Sequence, residues 1–132
     1  MVPVRVLLVE ESIPVLRALQ EELDGCGGFE VQTATSAAAG QLGLARLQPD
    51  ILIANPWAGR GTPAEWKRAI LRYRDSRPLG VLLLADRASE PDREILREIA
   101  DLGVRPRTGG MRLLPAILAG WAGQEESWSS AA

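Results

Sequence analysis

Two adjacent carboxylates, Glu10 and Glu11, close an apolar run that begins at Arg5. A second apolar run, Ile51 to Ala54, leads into a carboxamide, Asn55, 44 positions after Glu11. Two carboxylates and a carboxamide at neighbouring strand ends can offer hard oxygen ligands to a divalent cation. They can equally form the acidic half of an ion pair with arginine. Two plainer readings stay open. The glutamates also read as solvated strand-end charges, and Asn55-Pro56 also reads as the start of a turn.

Much chemistry is excluded by composition. The chain has no histidine, which removes His-based nucleophilic pairs, general bases and metal ligands. Its single cysteine, Cys26, cannot form an internal disulfide and has no flanking base to activate it. A net charge of -2 gives no global pull toward nucleic acid or anionic membrane, and neither is expected as a partner. No apolar run approaches the roughly 20 residues of a membrane span, and no apolar leader is expected at the N-terminus. The expected location is the cytoplasm.

The elements that must position these residues follow from hydrophobic patterning. The 132 residues fit one domain, expected over 1–123 with a flexible tail over 124–132. Strands are predicted at Val4 to Val9, Phe29 to Thr33, Ile51 to Ala54 and Val81 to Ala85, with helices between them. Ser12, then Thr35 or Ser36, then Thr62 with Pro63 and Glu65, and Ser89 with Asp92 are predicted to start the four helices. Gly25, Gly27 and Gly28 are predicted to end the first helix, and Gly103 the fourth. Val104-Arg105-Pro106 is poor strand sequence, so a fifth strand is predicted to be short or irregular. A last helix is predicted from Met111 to Trp121. The (βα)5 pattern makes the chain α/β, a doubly wound, five-stranded parallel sheet with helices on both faces. Ligands of such sheets bind at the carboxyl ends of the strands, where Glu10, Glu11, Asn55 and Ala85 fall.

In these residues the chain resembles the receiver domains of bacterial two-component response regulators, over about residues 4 to 121. The resemblance implies a flavodoxin-like sheet of order 2-1-3-4-5 and a site built from an acidic pair, a phosphoacceptor aspartate, a hydroxyl and a lysine. Glu10 and Glu11 match the acidic pair that the resemblance implies for Mg²⁺, but Glu11 is long for a compact octahedral site, so any cation held there is expected to be weak and no resident cofactor is expected. Asn55 stands at the acceptor position, and an amide is not a useful nucleophile toward a phosphoryl donor. Ala85 stands where the hydroxyl is expected. The only lysine is Lys67, far from the expected position, where Arg105 and Arg107 are equal candidates to replace it. Either arginine is a candidate to neutralise the glutamates without a metal. Asp50 lies at the opposite end of its strand and cannot serve as acceptor.

The resemblance therefore implies a pseudo-receiver: a stand-alone, non-enzymatic, phosphorylation-independent interaction module. The expected partner is a signalling protein, such as a histidine kinase or another regulator, with a homodimer as a further option. The face made by the fourth and fifth helices is the implied contact surface. Two alternatives remain: an atypical phosphoreceiver of a phosphorelay, and a small-molecule or anion sensor using the vacated pocket. Trp57, on a loop beside the site, and Trp66, on the third helix, are candidate interface residues, Trp66 also reading as core. A basic run carries Arg60, Lys67, Arg68, Arg72, Arg74 and Arg77. It reads as a docking face for an acidic partner or nucleic acid or, more simply, as the solvated side of a helix.

Overall fold

The structure is a computed structural model and describes residues 2–86 and 88–107. The chain runs β1 (Val4–Val9), α1 (Ile13–Cys26), β2 (Phe29–Ala34), α2 (Ala37–Leu47) and β3 (Ile51–Ala54). A 3-10 turn (Ala58–Arg60), α3 (Pro63–Arg74), β4 (Gly80–Leu84), α4 (Asp92–Ile99) and β5 (Gly103–Arg105) follow. The five strands pair in parallel in the order β2-β1-β3-β4-β5. The helix predicted from Met111 to Trp121 and the tail over 124–132 lie outside the described residues.

Alternation along the strands sorts the core into two halves. Leu7, Val9, Leu52, Ala54, Val81 and Leu83 face α2, α3 and α4, packing with Leu44, Trp66, Ile70, Leu96 and Ile99. Val6, Leu8, Ile51, Ile53, Leu82 and Leu84 face the other way, onto Leu16, Leu19 and Leu23 of α1. The central strands β3 and β4 are buried at every position, as a parallel sheet covered on both sides requires.

Local signals fix most element ends. The hydroxyls of Ser12, Ser36 and Thr62 accept from the N–H of Val15, Ala39 and Glu65 and cap α1, α2 and α3. Ser36, not Thr35, takes the second cap. Three expectations need correction. Gly27 ends the first helix as expected, with a positive φ of 70°, but Gly25 lies inside the helix and does not end it. Helix α4 starts at Asp92 without a side-chain cap, because the Arg93 N–H bonds the Ser89 carbonyl and not its hydroxyl. Gly103 does not end α4 but opens β5, with φ 104°, a conformation other residues resist. Between them, the Asp101 carboxylate accepts from the Val81 N–H at 2.6 Å and from Arg74 at 3.1 Å, and turns the chain into β5. That strand is three residues long.

Close packing of α2 on the sheet depends on Gly40. A Cβ there would lie 2.7 Å from Val9 Cγ2 and 2.8 Å from Trp66 Cη2, both inside the core. Gly40→Ala is therefore expected to destabilise the protein by about 1–2 kcal/mol, after the gain in helix propensity is deducted. The urea midpoint reads this. A variant more stable than the parent would mean that α2 can lift from β1 at little cost.

Candidate functional site

The carboxyl ends of β1, β3 and β5 converge on one carboxylate. Glu10 follows β1 directly, and its backbone N–H bonds the Ala34 carbonyl at 3.1 Å. Asn55 follows β3, and its backbone N–H bonds the Val9 carbonyl at 2.8 Å. Both side chains are buried; Glu10 is 0% and Asn55 3% accessible. A buried charge at the centre of a fold demands partners, and Glu10 has four.

Arg107 supplies two of them. Its Nε donates to Glu10 Oε1 at 2.6 Å and its Nη2 to Oε2 at 2.9 Å, a bidentate guanidinium–carboxylate pair. The Ser12 N–H donates to Oε2 at 2.7 Å, and Asn55 Nδ2 to Oε1 at 3.3 Å. These four donors fill the two oxygens' usual capacity. Burial pushes the Glu10 carboxyl up, but the Arg107 guanidinium, the Ser12 N–H and the Asn55 amide together hold it below the ordinary carboxylate range. The hydrogen bonds to Glu10 in turn push the Arg107 guanidinium up.

Asn55 is equally committed. Its Oδ1 accepts from the Trp57 N–H at 3.0 Å, closing an Asx turn over Pro56, while its Nδ2 faces Glu10. The turn and the pocket readings of Asn55 thus describe one arrangement. Glu11 is exposed, its Oε2 accepts from the Gly59 N–H at 3.4 Å, and its charge adds to those of Glu10 and Asp86 in pushing the Arg107 guanidinium up. Ala85, half-buried at the end of β4, brings no hydroxyl.

The structure brings Glu10, Asn55 and Arg107 together and leaves Glu11 and Arg105 outside their contact. Arg105 pairs with Leu84 in the β4–β5 register, and its Nε is buried without a partner among the described residues. Arg107 lies past Pro106, where the Asp86 carboxylate accepts from its backbone N–H at 2.9 Å. The sequence reading misses Asp86, because a hydroxyl is the group expected after β4. Its signal was position, since an acid just beyond β4 faces whatever follows β5. Asp50 is confirmed at the far end of the sheet, accepting from the Arg5 N–H at 2.9 Å.

Trp66 requires correction as an interface residue. It is 0% accessible and packs beneath α2, so no partner reaches it in this fold. Trp57 is half-buried against the same core half.

The donor set does not suit Mg²⁺. A cation at this carboxylate would have to displace the Arg107 guanidinium from Glu10 and the Trp57 N–H from Asn55 Oδ1. Glu11, the other carboxylate of the pair, already accepts from the Gly59 N–H. Among the described residues, no group of three or more His, Cys, Asp or Glu side chains could hold a metal ion.

Comparison with solved structures places this architecture in a class. The chain is similar to the signal receiver domain of a putative LuxO repressor protein from Vibrio parahaemolyticus, with a TM-score of 0.81 at 13% identity, covering 98% of this chain and 97% of that one. It is also similar to the N-terminal domain of a response regulator/sensory box/GGDEF three-domain protein from Carboxydothermus hydrogenoformans (TM-score 0.74, 18% identity, 93% and 97% covered). The response regulator domain of Thermotoga maritima CheB matches with a TM-score of 0.71 at 18% identity, over 91% and 94% of the two chains. No protein-family model and no curated protein matches the sequence. The chain therefore has the flavodoxin-like fold of response-regulator receiver domains, with the strand order 2-1-3-4-5 expected from the resemblance. Among the described residues, no helix is long and apolar enough to cross a membrane.

Proposed function

We propose that this protein is a receiver-like signalling module that works by binding another signalling protein, without phosphorylation. One observation carries this reading: Arg107 sits on Glu10 where a receiver would gather a metal and a phosphoryl group. An internal cation neutralises the carboxylate, and a carboxamide replaces the nucleophile. The pocket is thereby held in one charge state, which suits a constitutive binding surface better than a switch. The same pairing weighs against a sensor that uses the vacated pocket, because Arg107 and Asn55 already fill its donors and acceptors.

Beryllofluoride with Mg²⁺ mimics a phosphoryl group and tests the reading. The melting temperature and the amide spectrum around Glu10 and Asn55 are expected not to change at millimolar concentrations of both. Acetyl phosphate is expected to leave no mass adduct. A saturable, Mg²⁺-dependent response at Asn55 or Glu10 would sink phosphorylation independence.

A further inference from the structure

The basic run divides once its contacts are assigned. Lys67 pairs with Glu98 at 2.8 Å. Arg74 is tied to the Leu79 and Ile99 carbonyls and to Asp101, and Arg77 to Asp50 and Gln48. Arg68 and Arg72 have no hydrogen-bond or ion-pair partner among the described residues. One helical turn apart on α3, they line a single open cleft between α2 and α3, of about 520 Å³.

The rest of that cleft is built for more than a solvated arginine. Leu44 of α2 and Ala69 and Tyr73 of α3 give it apolar and aromatic surface. Gln41 also lines it, and its Nε2 is shut off from solvent with no acceptor among the described residues. An orphaned amide donor costs free energy that an oxygen ligand within its reach recovers. The volume lies within the range of small-ligand sites, and so does the combination of an apolar lining with a few polar groups. Glu65 stands on the same wall, so the two guanidinium groups leave the cleft with a net charge of one positive unit.

We propose that the α2–α3 cleft binds a small oxyanion carried on a flat apolar body, such as an aryl phosphate or aryl carboxylate. The oxyanion would sit on Arg68 and Arg72 and the ring against Leu44, Ala69 and Tyr73. Charge complementarity selects the ligand class: these two cations line the cleft and are free, while Lys67, Arg74 and Arg77 are consumed by the fold. The cleft shares no residue with the Glu10 pocket, so this inference stands or falls apart from the proposed function.

The test is an amide-shift titration of the full chain with phenyl phosphate, benzoate, phenol and inorganic phosphate. Saturable shifts at Gln41, Leu44, Ala69 and Tyr73 are expected with phenyl phosphate or benzoate, the tighter of the two naming the oxyanion. Phenol and inorganic phosphate are each expected to bind at least about tenfold more weakly. Arg68→Ser with Arg72→Ser should abolish the response, while Arg46→Ser, exposed on α2 and outside the cleft, should preserve it. Both arginines are exposed, so the double variant is expected to fold, and its melting curve checks that. No saturable shift up to about 10 mM would overturn the proposal, as would phenol binding as well as phenyl phosphate or a double variant that still responds.

Discussion

Arg107→Ala is expected to destabilise the protein by about 2–4 kcal/mol at pH 7, since removing one partner of a buried ion pair strands the other charge. Glu10 cannot escape to solvent; its side chain is 0% accessible, and the Ser12 N–H and Asn55 amide are the donors left to it. Arg107 is itself 29% accessible, so the loss falls below that of a pair buried at both ends. The pH dependence separates this from simple loss of packing. In the parent, the Glu10 carboxyl is held below its ordinary value of 4.5, so its contribution is present above that pH and is lost as pH falls through the folded value. Without Arg107, burial dominates and pushes the carboxyl above its ordinary value. The variant then loses stability as pH rises and regains it as Glu10 takes up a proton.

The gap between parent and variant should therefore narrow steadily from pH 7 toward pH 4.5. Urea unfolding at several pH values measures it. Glu10→Gln gives the complementary sign: it should destabilise the parent but stabilise the Arg107→Ala background, because there it removes an unpaired charge. A gap that does not change with pH would reduce Arg107 to a packing residue.

This pair shows where the sequence is informative and where it stops. Alternation in Val6-Leu7-Leu8-Val9 and the unbroken apolar run Ile51 to Ala54 determine the sheet and which side chains enter each half of the core. Caps at Ser12, Ser36 and Thr62 lie three residues from the N–H groups they satisfy, so local spacing reveals them. Convergence of Glu10 and Asn55 follows from the strand order, since β1 and β3 are neighbours and their ends coincide. The choice between Arg105 and Arg107 does not follow. It is decided by the Asp86 carboxylate, 21 residues away in sequence, which holds the Arg107 backbone at 2.9 Å. The missing side-chain cap of α4 and the role of Gly103 are hidden from the sequence for a similar reason. The start of α4 uses a serine carbonyl that sequence cannot distinguish from its hydroxyl, and the entry to β5 is set by Asp101 acting on β4. Trp66 lies wholly in the core because Gly40, on another helix, leaves room for it.

Asn55→Asp should also be strongly destabilising, although it restores the residue type that the receiver resemblance expects. In the parent, Asn55 Nδ2 donates to Glu10 Oε1 across 3.3 Å. The substitution replaces that donor with a carboxylate oxygen, so two buried anions share the single guanidinium of Arg107. Loss of a hydrogen bond to a charged group and like-charge repulsion together should cost about 2–4 kcal/mol at pH 7. One carboxyl of the pair is then raised, so the deficit should shrink as pH falls toward 5 and the pair takes up a proton. Millimolar Mg²⁺ should raise the melting temperature of this variant and leave the parent unchanged, because only the variant adds a second buried carboxylate beside Glu10 for a cation to bridge. Labelling by acetyl phosphate should remain absent, since Ala85 still lacks a hydroxyl and no lysine follows Lys67. A variant as stable as the parent and indifferent to Mg²⁺ would mean that the Asn55 amide does not bond Glu10. A variant that labels would mean that the acceptor alone was missing, so that the chain stands one substitution from phosphorylation chemistry instead of three.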